Sequence, residues 1–374
     1  MTTLQDEIEA ARQTIRSDAL AMSVGEIVNL YRDEEIIIRP EFQRLFRWDI
    51  EQKSRLIESL LLGIPIPSIF VMQREDGIWE VIDGLQRIST ILEFMGELRD
   101  EDTKLLKKPS VLTETRYLPR LRGMSFVEDA EGATTFFTPG QRLALKRAKV
   151  DLKILLSESD ERAKFELFDR LNTGGSLLSA QEIRNTQLLM RDASLFRWLD
   201  KLRQNADFQA TIPISDRLLY EAYDMELVCR FFALTQSSDA ELRGIENIDT
   251  FLSDKLFETT GPRADQFDRT SEEARFKRTF GLLNSVLGED SFKRNEKGRF
   301  LGAFSVSAFE TIAVGVGENV DAWEQTEAAS PGSLKRQIEN WWANTDFRSG
   351  SGSGISASTR LPKTLPAARR FFEK

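Results

Sequence analysis

The residues best suited to chemistry lie in the short stretch from Val81 to Thr90, here termed the Asp83 corner. Two β-branched residues lead into Asp83 and a glycine, and a helical pattern begins directly afterwards. A helix that starts straight after a strand presents unpaired backbone N–H groups and the positive end of its dipole, so it can bind phosphate or another anion. In its first turn, Gln86 and Arg87 add an amide and a planar guanidinium that matches phosphate oxygens. Asp83 could hold Mg²⁺ or orient a water, so the sequence predicts an anion site here.

A purely structural interpretation of the same corner stays open at this point. Asp83 would then be the N-cap of the helix, worth about 1 kcal/mol, and Arg87 its partner at the surface. The two interpretations differ in whether the side chains face a ligand or each other.

The absence of histidine excludes whole classes of enzyme. None of the 374 residues is histidine, and Cys229 is the single cysteine. HNH and other His-dependent nucleases, Ser-His-Asp and Cys-His hydrolases and Cys-based zinc sites are therefore excluded, as is an internal disulfide. Any catalysis must use carboxylate, amide, amine, guanidinium or phenol groups, with Mg²⁺ on carboxylates as the candidate metal.

Composition predicts a soluble chain with a cytoplasmic location and no membrane partner. The net charge is −9, charged residues make up 30%, and the mean hydropathy is −0.34. The longest apolar run, 60–72, is too short to span a bilayer and contains two prolines. The N-terminus is acidic and amphipathic, unlike a signal peptide. Basic residues concentrate in two zones, 39–55 and 116–149. For the second zone, the favoured explanation is a solvated charged face.

The pattern of elements predicts an α+β fold, with a small mixed domain followed by an α-helical domain. We expect the mixed domain over 1–157, the helical domain over 158–348, and a Gly/Ser link with a basic C-terminal helix over 349–374. Strands over 68–74 and 78–82 should form a hairpin through Asp76 and Gly77, because Asp-Gly supplies positive φ angles.

Helix-start signals predict where the helices of both domains begin. Capping sequences begin at Ser23, Asp49, Thr138 and Ser179. A helix from Gly84 should end at Gly96. Further on, the apolar spacing predicts one continuous buried helix through the residues Leu218, Ala222, Met225, Cys229 and Phe232.

An ordered set of motifs resembles the N-terminal domain of GmrSD-type restriction systems, which is built on the ParB/sulfiredoxin-like fold. The matching residues are Pro40, Gln43, Arg44, Trp48, Pro65, Pro67, Asp83, Gly84, Gln86, Arg87, Thr90, Asn172, Thr173, Gly174, Gly175, Leu178, Ser179, Glu182, Arg184 and Asn185. The resemblance extends from about residue 20 to residue 370.

This resemblance implies binding of a nucleoside triphosphate, ATP or GTP with Mg²⁺, at the Asp83 corner, with hydrolysis, in a defence system against foreign DNA. It implies catalytic roles for Asp83, Gln86 and Arg87, with Asp83 as the metal ligand. The positions that it assigns to nucleotide contact are Gln43, Arg44, Gly84, Thr90, Asn172, Thr173 and Gly174. Leu85 stands where the family usually has glutamine, which puts turnover in question. Since the chain has no histidine, DNA cleavage would come from a separate nuclease or effector subunit.

Other functions stay open beside the nucleotide-dependent one. The same corner could hold a DNA phosphate in a non-catalytic DNA-binding or partner-sensing module. An independent nuclease would need Asp83, Glu80 or Glu93 with Mg²⁺. Residues 172–175 also suit a plain helix C-cap, since Asn and Gly tolerate the left-handed conformation.

Overall fold

The computed structural model describes residues 3–4, 17–38, 48–100, 103–128, 130–156, 179–259, 267–352 and 354–374. The chain divides into two compact units, Met1–Leu177 and Leu178–Lys374. A mixed sheet forms in the first unit and helices dominate the second, so the predicted α+β class is confirmed. The predicted boundary at 157/158 falls at the start of 157–178, outside the described residues, and stays a prediction.

The first unit is built on a five-stranded sheet with the order β1-β7-β3-β4-β2. The strands of this unit are β1 (Ser17–Ser23), β2 (Ile36–Ile37), β3 (Ile69–Gln73), β4 (Trp79–Asp83), the short pair β5 (Met124–Ser125) and β6 (Thr135–Phe136), and β7 (Lys149–Leu155). Antiparallel pairs β1/β7 and β3/β4 alternate with parallel pairs β3/β7 and β2/β4. The predicted hairpin between β3 and β4 is confirmed, with Gly77 at φ +86°.

Four described helices pack with this sheet. They are α1 (Val24–Arg32), α2 (Ile50–Leu62), α3 (Leu85–Phe94) and α4 (Pro139–Arg147). Three begin at the predicted capping residues Ser23, Asp49 and Thr138, and the fourth begins directly after Gly84, as predicted, without a side-chain cap. Asp49 and Thr138 form complete capping boxes, while Ser23 accepts only the backbone N–H of Glu26. Helix α2 packs against α3 and α4, and α3 packs on β3. Fully buried aliphatic residues close this core, among them Ile27, Ile57, Ile69, Val71, Ile88 and Leu152.

The second unit is a helical assembly with one exposed hairpin. Its helices are α5 (Ala180–Arg191), α6 (Ala193–Arg203), α7 (Ala206–Thr211), α8 (Asp216–Tyr220), α9 (Tyr223–Thr235), α10 (Asp239–Arg243), α11 (Ile248–Glu258), α12 (Arg269–Leu287), α13 (Val306–Glu318), α14 (Val320–Ala329), α15 (Ser333–Ala343), α16 (Thr345–Gly350) and α17 (Ala357–Phe372). The hairpin strands are β8 (Lys293–Glu296) and β9 (Arg299–Phe304). Phenylalanine rings from α7, α9, α12 and α13 stack and cross within the core. None of the described helices combines the length and apolar character that a membrane crossing requires.

The continuous helix predicted through residues 218–232 is wrong. Ala222 adopts a left-handed conformation with φ +57°, and it separates α8 from α9. The hydroxyl of Ser179 donates to the carbonyl of Glu221 at 3.0 Å, so a carbonyl freed by the break is satisfied by a residue 42 positions away. Apolar spacing gave no sign of this break because Ala222, Met225, Cys229 and Phe232 are buried and Leu218 is half-buried.

Helix α17 is an integral part of the second unit. It packs against α13 and α16, and Gly350 at the end of α16 lies so close that an added Cβ would sit 2.6 Å from Thr364. Two basic residues of α17 are paired, since Arg369 contacts Glu318 and Arg360 contacts the fully buried Glu310. The C-terminal helix therefore contributes to the core of the second unit.

Candidate functional site

The backbone of the Asp83 corner is shaped by a β-bulge and a left-handed glycine. Pairing between β3 and β4 shifts register between Phe70 and Val71, which leaves Ile82 as an extra residue on β4 just before Asp83. Bulges of this kind re-aim the next side chain and end strand pairing. Gly84 follows with φ +87° and is the N-cap of α3, which has no side-chain capping hydrogen bond.

Only glycine fits at position 84. An added Cβ would lie 2.8 Å from Cγ1 of Ile69 and 3.1 Å from Nη2 of Arg87. The backbone of the corner therefore approaches β3 closely, in a conformation that other residues adopt at a cost. Anion sites at helix N-termini use uncapped N–H groups on a backbone that a ligand can approach closely, and the Asp83 corner has this geometry.

Arg87 is held against Asp83 in the interior of the corner. Its Nη2 donates to Oδ2 of Asp83 at 3.0 Å and to the carbonyl of Ser68 at 3.2 Å, and the residue is only 7% exposed. Its Nε is buried and has no hydrogen-bond partner within the described part of the chain. The structural alternative from the sequence is right that Arg87 is the partner of Asp83. It is wrong in two respects, since Gly84 rather than Asp83 is the N-cap and Arg87 is not a surface residue.

Gln86 connects the corner to the segment that precedes α2. Its Oε1 accepts the backbone N–H of Trp48 at 3.1 Å, next to the Asp49 capping box. Two motifs of the sequence therefore meet in space, although 38 residues separate them. Gln43 and Arg44 lie outside the described residues, and their assignment to nucleotide contact stays a prediction.

Thr90 supports the corner from within the core. The residue is fully buried, and its hydroxyl donates to the carbonyl of Gln86 at 2.7 Å. In this conformation the hydroxyl is turned toward its own helix. Asn172, Thr173 and Gly174 lie outside the described residues, and their assignment to nucleotide contact stays a prediction.

The carboxylates required by an independent nuclease do not converge. Glu93 is paired with Nζ of Lys53 at 2.8 Å. Glu80 is buried, and its Oε1 lies 3.6 Å from Nη1 of Arg74. Within the described ranges, no group of three or more Asp, Glu or Cys residues is arranged to hold a metal ion. Asp83 is thus the one of the three that faces the corner, with Arg87 as its partner.

The contribution of Ser68 was not apparent from the sequence. Its carbonyl accepts from Arg87 at the start of β3, directly after the rigid Pro65–Pro67 connector. A backbone carbonyl carries no residue-type signal, although the prolines before it indicated a fixed chain direction.

Two of the seven basic residues in the second basic zone form ion pairs within the described part of the chain. Arg122 contacts Glu114 at 3.4 Å, and Arg142 contacts Glu128 at 2.9 Å. These pairs agree with the solvated charged face that the sequence favours for residues 116–149. In the first zone, Lys53 is paired with Glu93, and residues 39–47 are not described.

Arg184 and Asn185 are both hydrogen-bonded to Gln181 within the second unit. Arg184 is buried and donates to Ser253 and to the carbonyl of Asp249 on α11. Glu182 completes the capping box of Ser179. The contacts of Arg184 therefore join α5 to α11.

A comparison with protein families finds a match over the first part of the chain. Residues 24–189 match the family described as "GmrSD restriction endonuclease, N-terminal domain". The match includes the whole Asp83 corner and ends within α5. No curated protein sequence matches the chain.

Proposed function

Residues 24–189 match the family of GmrSD restriction endonuclease N-terminal domains, and on the basis of this similarity we propose a nucleotide-dependent role for the chain. The family is described as an N-terminal domain of restriction endonucleases. The chain would bind a nucleoside triphosphate, ATP or GTP with Mg²⁺, at the Asp83 corner and hydrolyse it. It would act as the regulatory part of a restriction or anti-phage system, together with a separate effector subunit that cleaves DNA.

One observation carries this proposal: an uncapped helix N-terminus lies beside a buried arginine whose Nε lacks a partner. Helical N–H groups and a guanidinium are the donors that bind phosphate oxygens in proteins. Burial strengthens such contacts because water does not compete for them. Gly84 brings the backbone close enough for the phosphates to approach.

The ion pair between Arg87 and Asp83 gives a simple account of binding. Without nucleotide, the two side chains neutralise each other at 3.0 Å. When Mg²⁺ and a triphosphate bind together, Asp83 would turn to the cation and Arg87 to the phosphates. Each buried charge keeps a partner throughout, which avoids the penalty for leaving one uncompensated.

Gln86 is better suited to positioning than to water activation. Its Oε1 already accepts from the N–H of Trp48 and so ties the end of the 39–47 segment to the corner. Leu85 offers no polar group at the neighbouring position, so turnover would depend on Asp83 and on groups from outside α3.

The test is titration calorimetry of the full chain with MgATP and with MgGTP, followed by phosphate release from the same samples. Binding with turnover supports the proposal in full. Binding without turnover would restrict the function to nucleotide sensing and attribute the lost step to Leu85. Absence of binding to both nucleotides would overturn the nucleotide role and leave the DNA-phosphate alternative for the corner.

Variants assign the site within the same experiment. Arg87→Lys keeps the charge but removes the planar fork, and we expect at least a tenfold loss of nucleotide affinity, equal to about 1.4 kcal/mol. Arg55→Ala is the control, because Arg55 is exposed and lies 3.8 Å from its partner Glu51. Equal affinity in Arg87→Lys and wild type would remove Arg87 from the site.

A further inference from the structure

A broad groove in the second unit carries a surplus of hydrogen-bond donors and positive charge. It lies between the β8–β9 hairpin and helices α15 and α16, has a volume of about 1210 Å³, and is here termed the hairpin groove. Its lining includes four cations, Arg294, Lys297, Arg299 and Arg348, against the two carboxylates of Glu296 and Glu339. This balance is unusual in a chain with a net charge of −9.

Most of these cations are available to a ligand. Arg294 is paired with Glu296 at 2.9 Å, whereas Lys297, Arg299 and Arg348 are exposed and have no ion-pair partner in the part of the chain that the structure describes. Lys297 also sits at the tip of the hairpin, where it and Gly298 both adopt positive φ angles in a two-residue turn. Such a turn fixes the position of the charge at the rim of the groove.

Two buried N–H donors in the same lining lack acceptors. They are Nε1 of Trp342 and Nδ2 of Asn295, neither of which has a hydrogen-bond partner within the described residues. The other amide atom of Asn295 is used, since its Oδ1 accepts the N–H of Gly298 and holds the turn. Buried donors without partners are rare in folded proteins and call for an acceptor-bearing ligand or water.

We propose that the hairpin groove binds nucleic acid through the phosphate backbone. The cations and N–H donors of the groove outnumber its two carboxylates and favour an acceptor-rich anion, and phosphodiesters repeat that chemistry along a strand. The groove exceeds the usual volume of a small-molecule pocket, roughly 300–1,000 Å³. A two-stranded ribbon also has the width that a DNA major groove admits.

This assignment places nucleic-acid contact in the second unit, apart from the nucleotide role of the Asp83 corner. It does not rest on the proposed function, and the two can fail separately. Arg87→Lys should leave nucleic-acid binding at the hairpin groove intact. Groove variants should leave calorimetric nucleotide binding intact.

The experiment measures binding of the full chain to a fluorescein-labelled 30-base-pair duplex and to its single strand, over a series of salt concentrations. The test variant is Lys297→Ala/Arg299→Ala, and the control is Lys335→Ala/Arg243→Ala, which removes one exposed lysine and one exposed arginine outside the groove. We expect the test variant to lose about tenfold or more in affinity, with a salt slope shallower by about 1.8 for the duplex, since two phosphate contacts are removed. The control should bind like wild type.

A second variant tests the orphan donor without changing charge. Trp342→Phe keeps an aromatic ring against Phe347 and removes the indole N–H. We expect a several-fold loss of affinity with an unchanged salt slope, because no cation is removed.

Three results would overturn the proposal. They are absence of binding by wild type at low salt, equal losses in the test and control variants, and full displacement of the labelled DNA by millimolar ATP or GTP in wild type but not in the test variant. The last result would identify the groove as a site for a free nucleotide.

Discussion

Gly84 is the residue on which the geometry of the Asp83 corner depends. Its left-handed conformation turns β4 into α3, and the missing Cβ leaves room for Ile69 and for the guanidinium of Arg87. The bulge at Ile82 then aims Asp83 at Arg87. One backbone conformation thus brings the acid, the guanidinium and the helix N-terminus together.

Gly84→Ala should reduce the free energy of unfolding by about 2–4 kcal/mol, because it combines a left-handed alanine with overpacking against Ile69. Gly77→Ala is the matched control: Gly77 has φ +86°, but no atom lies within 4 Å of its added Cβ. The control should lose only about 1–2 kcal/mol. Urea denaturation of both variants measures the difference, and equal losses would contradict the close approach at Gly84.

At the level of elements, helix α2 organises the loop that follows α3. Oε1 of the buried Glu58 accepts the backbone N–H groups of Tyr117 and Leu118, both at 2.9 Å, and the hydroxyl of Thr115. One turn earlier, Ser54 accepts the N–H of Thr113 at 2.9 Å. These contacts hold an irregular segment that has little regular secondary structure of its own.

Glu58→Ala should destabilise the first unit by about 2–4 kcal/mol, since it leaves buried N–H groups without an acceptor. Glu58→Gln should lose less, about 1 kcal/mol, because the amide oxygen can replace Oε1 in all these hydrogen bonds. Thermal or urea unfolding of the pair tests this order. A glutamine variant as unstable as the alanine variant would show that the negative charge matters more than the acceptor.

Across the second unit, a buried charge network joins helices that are far apart in the sequence. Glu310 on α13 is fully buried and is bonded by Arg230 from α9 and by Arg360 from α17. Arg230 is also paired with Glu226 at 2.6 Å. Such a network adds little net stability by itself, but it makes each member costly to remove.

Glu310→Gln should therefore destabilise the protein by about 3–5 kcal/mol, because Arg360 would be left as a buried, uncompensated charge. Glu324→Gln serves as the control, since Glu324 forms a half-exposed pair with Arg278 and should change stability by less than about 1 kcal/mol. Urea denaturation compares the two. Similar losses would mean that burial of Glu310 carries no special weight.

Cys229 offers a probe for opening of the second unit. It is the only cysteine and is fully buried, and burial raises the pKa of its thiol to about 11. A raised pKa means that the neutral thiol is favoured in the folded state, so this contribution to stability is complete below about pH 9 and is lost between about pH 9 and 11. At pH 8, a thiol reagent should label native protein at least about a thousandfold more slowly than unfolded protein. Rapid labelling of the native protein would contradict the buried position.

Local signals in the sequence determined the elements near the site. The capping boxes at Asp49 and Ser179, the Asp-Gly turn at Gly77 and the stop at Gly96 were all confirmed, because each depends on residues within four positions of one another. The missing histidine likewise excluded enzyme classes without any structure.

Only the tertiary structure decided how those elements meet. The burial of Arg87 against Ser68, the hydrogen bond from Trp48 to Gln86 and the contact of Ser179 at the break beside Ala222 all involve partners that are 19 to 42 positions distant. The direction of Asp83 depends on a bulge set by a neighbouring strand. Periodicity and residue type record which face of an element is apolar, but not which distant group will accept a given hydrogen bond. The sequence by itself therefore located the Asp83 corner, and long-range contacts determined what its side chains face.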